Sequence, residues 1–403
     1  MNHINSHLTP YSKLLLFIKN LLNNYWFLGT IIFSIFAFIS LLEPNNPVKD
    51  ERFMIYEINQ FSKLGFWGHI NHMKNYQGPL FYYIMGLLVY FFKFNLLGLR
   101  IINCGFSAIL IIVILKIFEL KEINKFNVFL VLLNPYFLLL TAPLIYNDNL
   151  PLLCLFIGIL SYLNEKHFIA ICFFSFACLM RQNLIFAPVA ILFVEILSSL
   201  KKIKRHHIIY ITPVLVLFTL FYIWGGRLSS PRLYKNFGFL ASINGFNFDG
   251  FEIIKAVLYQ LILLSIFALS QTLFNINWGR KLLLIFTISL IILILFTPTH
   301  INYKFHQYLP MYNYGGYLDQ YLSKWLYLTI PMSAMVITLF LNQFTFSIIK
   351  NKSKFQLIIL VFIAFNLVFY SITPFWDKYY VMMGVFTPLL LKENNNSLEL
   401  EKI

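Results

Sequence analysis

Charge is scarce in this chain: only 12% of its 403 residues are Asp, Glu, Lys or Arg. A soluble globular domain carries roughly 25%, so an ordinary soluble domain is excluded. Cysteine is scarce as well. The four, Cys104, Cys154, Cys172 and Cys178, all fall inside apolar runs. That placement excludes a disulfide framework and leaves them as small buried residues. A cleavable leader is not expected, because the first apolar run follows a polar start and lacks a small-residue cleavage site. No internal repeat is evident. His69, His72, His300 and His306 lie in loops at a spacing that fits no metal motif, so neither a metal nor another cofactor is expected.

What is abundant is apolar surface. The hydrophobic fraction is 59%, aromatics reach 19%, and mean hydropathy is +0.72. Phe suits lipid-facing helix surfaces and Tyr the water interface. The composition predicts an all-α, polytopic transmembrane helical bundle. At ~20 residues per span, the length accommodates about a dozen. The net charge of +15 invites a nucleic-acid partner. The cations sit in loops between apolar runs and not on one soluble face, so no nucleic acid is expected.

Apolar runs place twelve spans at 25–42, 96–115, 127–144, 150–163, 168–179, 184–197, 208–224, 253–274, 282–296, 325–341, 355–372 and 380–391. The short run 79–94, which carries Lys93, is expected to lie at the interface and not to cross. With that assignment the basic loops share one side. They are Lys116/Lys121/Lys125, Lys201/Lys202/Lys204/Arg205, Arg280/Lys281 and Lys350/Lys352/Lys354. The positive-inside rule then makes both termini cytoplasmic. The long loops 43–95, 225–252 and 297–324 face outward. Residues 1–391 form a single transmembrane domain, and 392–403 a disordered cytoplasmic tail.

Charges near membrane depth are costly and therefore mark candidate sites. Lys49-Asp50-Glu51-Arg52 opens the first outer loop, and Glu57 follows at helical spacing. A carboxylate pair at the lip of a span can take a proton from a hydroxyl; the plain alternative is an acidic helix start. Tyr146-Asn147-Asp148-Asn149 forms a short outer turn, where Asn and Asp are also simply good turn formers. Met180-Arg181-Gln182-Asn183 holds an Arg suited to a lipid phosphate or to snorkelling. Gly225-Gly226-Arg227 and Arg232 bring cations beside a Gly pair, and Lys378-Tyr379 closes the outer side before the last span.

These motifs, in this order, resemble the GT-C class of membrane glycosyltransferases. That class has an acidic motif in the first outer loop followed by interfacial helices. Asp50-Glu51 and the 79–94 run match those features, and Gly78-Pro79-Leu80-Phe81-Tyr82-Tyr83 with Leu99-Arg100-Ile101-Ile102-Asn103 is similar to the class. Within it, the chain is most similar to the alpha-1,2-glucosyltransferases that add the last glucose to the dolichol-linked oligosaccharide. Glu43-Pro44, Asp50-Glu51, Leu144-Ile145-Tyr146-Asn147-Asp148, Met180-Arg181-Gln182-Asn183, Gly225-Gly226 and Lys378-Tyr379 stand where that family has its motifs. The short 201–207 loop replaces a long cytoplasmic insertion of the eukaryotic members.

The resemblance implies an inverting transfer of a hexose, glucose favoured, from a polyprenyl-phosphate sugar to a glycan or lipid-linked acceptor on the outer or lumenal face. Asp50 or Glu51 would be the base. Asp148, Arg181, Gln182, Arg227, Arg232, Lys378 and Tyr379 would bind substrate. The compact loops favour a bacterial inner membrane, with the endoplasmic reticulum membrane as the eukaryotic counterpart. The competing expectation is a transporter or flippase of a lipid-linked or anionic substrate, which would use the same cations without a base. Broken midplane helices and repeats would mark it, and neither is plain here.

Overall fold

The computed structural model describes residues 24–47, 51–74, 77–123, 142–146, 148–198, 208–227, 230–232, 284–291 and 353–372, with positions 334, 338, 385, 386, 389 and 390. Among them every regular element is helical and none is a strand, as the composition predicts.

Helix α1 (Tyr25–Leu42) starts at Asn24, whose side-chain oxygen accepts the Trp26 and Phe27 N–H groups at 3.0 and 3.3 Å. It stops at Glu43, which is extended as the residue before a proline must be. Helix α2 (Glu51–His69) lies in the first loop. Helix α3 (Pro79–Phe92) follows with Pro at its first position, and α4 (Leu96–Leu120) is capped by Asn95, which accepts the Gly98 N–H at 2.9 Å. After residue 148 come α5 (Asn149–Leu163), α6 (His167–Met180), α7 (Phe186–Ser198) and α8 (Thr212–Ile223). Short 3₁₀ turns, Gln182–Ile185 and Ile209–Ile211, precede the last two. Helix α9 (Lys354–Ile372) completes the described core.

Two of these helices, α1 and α4, are long and apolar enough to cross a membrane. At 1.5 Å per residue the 25 residues of α4 span about 37 Å, more than the ~30 Å hydrocarbon core. The other apolar stretches that can be followed residue by residue are shorter, α9 among them over Lys354–Leu367. The expected spans 127–144, 253–274, 325–341 and 380–391 lie wholly or mostly outside the described residues; of 282–296 the helical stretch 284–291 is described.

Neighbouring helices pack side by side: α1 on α4, α4 on α5, α5 on α6, α6 on α8, α7 on α9, and α2 on α3. One buried apolar cluster runs through them, from Phe36 and Ile111 to Phe174 and Ile363. The burial is uneven. In α4, 61% of the most apolar window is covered, against 22% in α1. The bare face of α1 carries Trp26, Ile35, Phe38, Leu41 and Leu42, a large apolar stripe of the kind that needs a covering medium.

Of the helix in the first loop, the sequence marks the acidic start and the Glu51/Glu57 spacing but not the extent. Its segment is rich in charge, so no apolar run announces it. Glu51, Met54, Glu57, Ile58 and Phe61 are nonetheless its buried positions, a stripe at helical spacing in which two members are acids. Gly65, at φ +69°, breaks the helix and turns the chain back. His69 thereby meets Glu57, twelve residues earlier, at 2.6 Å.

Candidate functional site

The bundle has two ends. At one lie the C-termini of α1, α6 and α8 and the N-termini of α2, α4 and α5; most of the sequence-marked residues belong here. Glu51 opens α2 and is fully buried. Arg100, on the second turn of α4, grips it with a forked pair, Nε to Oε1 at 2.9 Å and Nη2 to Oε2 at 2.6 Å. Such bidentate, charge-assisted bonds are the strong ones. The same guanidinium donates to the Pro44 carbonyl at 2.8 Å and the Asn46 carbonyl at 3.4 Å. Glu51 Oε1 also accepts the Ile145 N–H at 3.1 Å. One arginine thus fixes the chain on both sides of Asp50.

Asp50 itself lies outside the described residues, as do Lys378 and Tyr379. Peptide geometry keeps its Cα about 3.8 Å from that of Glu51.

One helical turn after Arg100, the Asn103 amide donates to the carbonyls of Ala142 and Leu144, and the Ser107 hydroxyl to Ala142 at 3.3 Å. These bonds hold the turn that leads to Asp148. Asp148 sits at the N-terminus of α5 and Arg181 at the C-terminus of α6. The two are buried and form an ion pair. An acid at a helix start and a base at a helix end both complement the macrodipole, so the pair seals the top of the α5–α6 hairpin. Gln182 is half-buried in the 3₁₀ turn that follows.

The Gly225-Gly226 pair ends α8. Gly225 N–H donates to the Tyr222 carbonyl at 2.9 Å and Gly226 N–H to the Phe221 carbonyl at 2.8 Å, with φ of +68° and +77°. This is the Schellman pattern, which favours glycine because both residues are left-handed. The cap then aims the chain back at the first loop. Arg227 is half-buried and Arg232 exposed.

Four motifs that are distant in sequence are joined here through the first loop. Glu51 binds Ile145, beside the Asp148 turn. Gly78 N–H donates to the Met180 carbonyl at 3.1 Å, beside Arg181. That approach tolerates no side chain at 78, since a Cβ would stand 1.9 Å from the Leu179 carbonyl oxygen. The 70–73 carbonyls accept three bonds from the α8 exit: Trp224 Nε1 to Ile70 at 3.1 Å, Arg232 N to Asn71 at 3.3 Å and Ser230 Oγ to Met73 at 2.5 Å. Glu57, held by His69, accepts the Lys74 N–H at 2.7 Å.

Arg100, His69 and Lys74 were given no role by the sequence motifs. The signal for Arg100 was available: it is a charge near the start of the longest apolar helix, and such charges are expensive unless paired. Among the described residues no three His, Cys, Asp or Glu side chains gather where a cation would sit. The described junction holds a buried carboxylate, Glu51, locked by Arg100, and an exposed Arg232 at the α8 exit. No protein-family model, no curated protein and no solved structure matches the chain.

Proposed function

We propose that the chain is a multi-pass, twelve-span membrane glycosyltransferase of the GT-C kind. It moves a hexose, glucose favoured, from a polyprenyl-phosphate sugar to a glycan or lipid-linked acceptor at the outer or lumenal face of a bacterial inner membrane or of the endoplasmic reticulum. The observation that supports this most is the hydrogen-bonded junction at the Glu51 end. It joins the first-loop acids, the Asp148 turn, Arg181 and the α8 exit, which are the motifs that carry the sequence resemblance.

In this mechanism an acceptor hydroxyl attacks the anomeric carbon from the face opposite the phosphate. The new C–O bond forms as the bond to the phosphate oxygen breaks. The hydroxyl proton passes to Asp50, and polyprenyl phosphate leaves with the bonding pair. Glu51 has both oxygens engaged by Arg100 and one also by Ile145, so it serves as the anchor and Asp50 as the base. Cations at the α8 exit and Lys378 take up the growing phosphate charge. Asp148, Arg181 and Gln182 shape the wall of the site, the Arg181 charge being met internally by Asp148.

The test is sugar transfer by the purified chain in proteoliposomes, across a panel of polyprenyl-phosphate sugars and lipid-linked acceptors. Transfer from one donor, with inversion at the anomeric carbon, is the expected result. Movement of an intact lipid-linked substrate across the bilayer without transfer would replace the enzyme with a transporter.

A further inference from the structure

Most strong cations near the junction are already used. Arg100 is buried on Glu51, and Arg181 is buried on Asp148. An incoming anion would have to break those pairs and leave a carboxylate buried alone. Three groups differ. His72, Lys74 and Arg232 are exposed, and among the described residues none of them takes part in an ion pair.

They are also built together. Arg232 is tied to Asn71 backbone to backbone, and Ser230 to Met73 through a buried hydroxyl. Lys74 follows Asn71 by three residues, at most about 10 Å of chain, which is within reach of two long side chains. The Lys74 backbone is fixed by Glu57, itself locked by buried His69. Its ammonium stands over the Tyr56 ring, 4.6 Å from the centroid. Glu57, the acid bonded to this segment, is buried and paired with His69. Among the described residues of 70–74 and 230–232 no side chain is acidic.

We infer that segments 71–74 and 230–232 form a two-sided anion site for the phosphate of a lipid substrate, with Lys74 on one segment and Arg232 on the other. It rests on the glycosyltransferase reading for its lipid, and supplies a phosphate cradle at the mouth of that site. Arg232 provides forked donors and Lys74 a point charge. His72 adds an imidazole at the edge. Because the cations are exposed, binding should weaken as salt rises.

The test is native mass spectrometry of the full chain in detergent, with polyprenyl phosphate, the matching polyprenol, phosphatidylglycerol, and inorganic phosphate as competitor. Lys74→Gln with Arg232→Gln should weaken polyprenyl-phosphate binding at least tenfold, as loss of charge-assisted bonds implies. Polyprenol binding should not change. Lys93→Gln, which removes an exposed cation at the far end of α3, should leave polyprenyl-phosphate binding as in the parent. Ser230→Ala, which keeps every charge and opens the junction, should weaken it by a smaller factor. Competition by inorganic phosphate identifies the phosphate alone as the ligand; competition by phosphatidylglycerol alone identifies a lipid headgroup. Equal binding by the parent and the double variant would overturn the site. If binding is lost in the double variant while the parent transfers no sugar with any donor, the site stands and the glycosyltransferase reading falls. If the double variant both binds and transfers like the parent, the reading stands and the site falls.

Discussion

At the Glu51 end, the paired arginines are sealed: Arg100 is 1% exposed, and its guanidinium serves a carboxylate and two carbonyls at once. At the opposite end, Lys354 pairs with buried Glu195 while remaining 44% exposed. Its neighbours are simple helix-to-helix contacts. Tyr162 donates to Glu195 at 2.8 Å, His167 meets Tyr210 at 2.8 Å, Tyr25 donates to Glu119, and Lys121 lies over the Phe355 ring at 4.9 Å. The two ends use the same residue types differently. The Lys354 end pins helix termini to one another through side chains, Glu195 accepting from both Tyr162 and Lys354. The Glu51 end threads irregular backbone from several loops through one network, at the expense of left-handed glycines and a close glycine contact. Ordering loops is costly, and a chain that only needed to close a bundle would not require it. The difference is the reason the proposed site is put at the Glu51 end.

Breaking that contrast gives a ranked set of outcomes. The largest is in turnover. Asp50→Asn removes the proposed base and should lower sugar transfer by about 10²–10⁴-fold, with donor binding unchanged. Lys354→Gln, at the other end, should transfer like the parent. Rates measured in proteoliposomes decide this, and an Asp50→Asn variant at the parent rate would remove the base from that segment.

Next comes Arg100→Ala. It leaves Glu51 buried and unpaired, a loss of about 3–5 kcal/mol, read by thermal unfolding in detergent. Arg100→Lys keeps the charge and loses the fork, so it should recover only part. Gly78→Ala forces a Cβ against the Leu179 backbone, an overpacking cost of about 1–3 kcal/mol in the same assay. The smallest effect belongs to Lys354→Gln, about 1 kcal/mol or less for a half-exposed pair. A Lys354 variant as unstable as the Arg100 one would erase the distinction between the ends.

The helical class and most helix positions were legible in the sequence, because apolar runs flanked by charge set them. The expected 168–179 run became His167–Met180, and 355–372 became Lys354–Ile372. The first-loop helix was legible only at its acidic start. Two of its buried positions are acids, Glu51 and Glu57, whose partners Arg100 and His69 come from elsewhere in the chain. Asp148 and Arg181 were each marked singly. Their pairing depends on how two antiparallel helices meet, which no local spacing reports. The Gly225-Gly226 pair was read with Arg227 and Arg232 as part of a substrate site. Its position directly after an apolar helix is the ordinary signal of a C-terminal cap, and the cap is what aims Ser230 and Arg232 at the first loop.

In the proposed topology the two ends lie on opposite faces of the membrane, with the junction outside. Single cysteines at Arg232 and Lys354, in a background with the four native cysteines replaced, can be labelled in sealed cells with a membrane-impermeant maleimide. Position 232 should label at once and position 354 only after permeabilisation. Labelling of 354 but not 232 in sealed cells, or of both from the same side, would contradict the account.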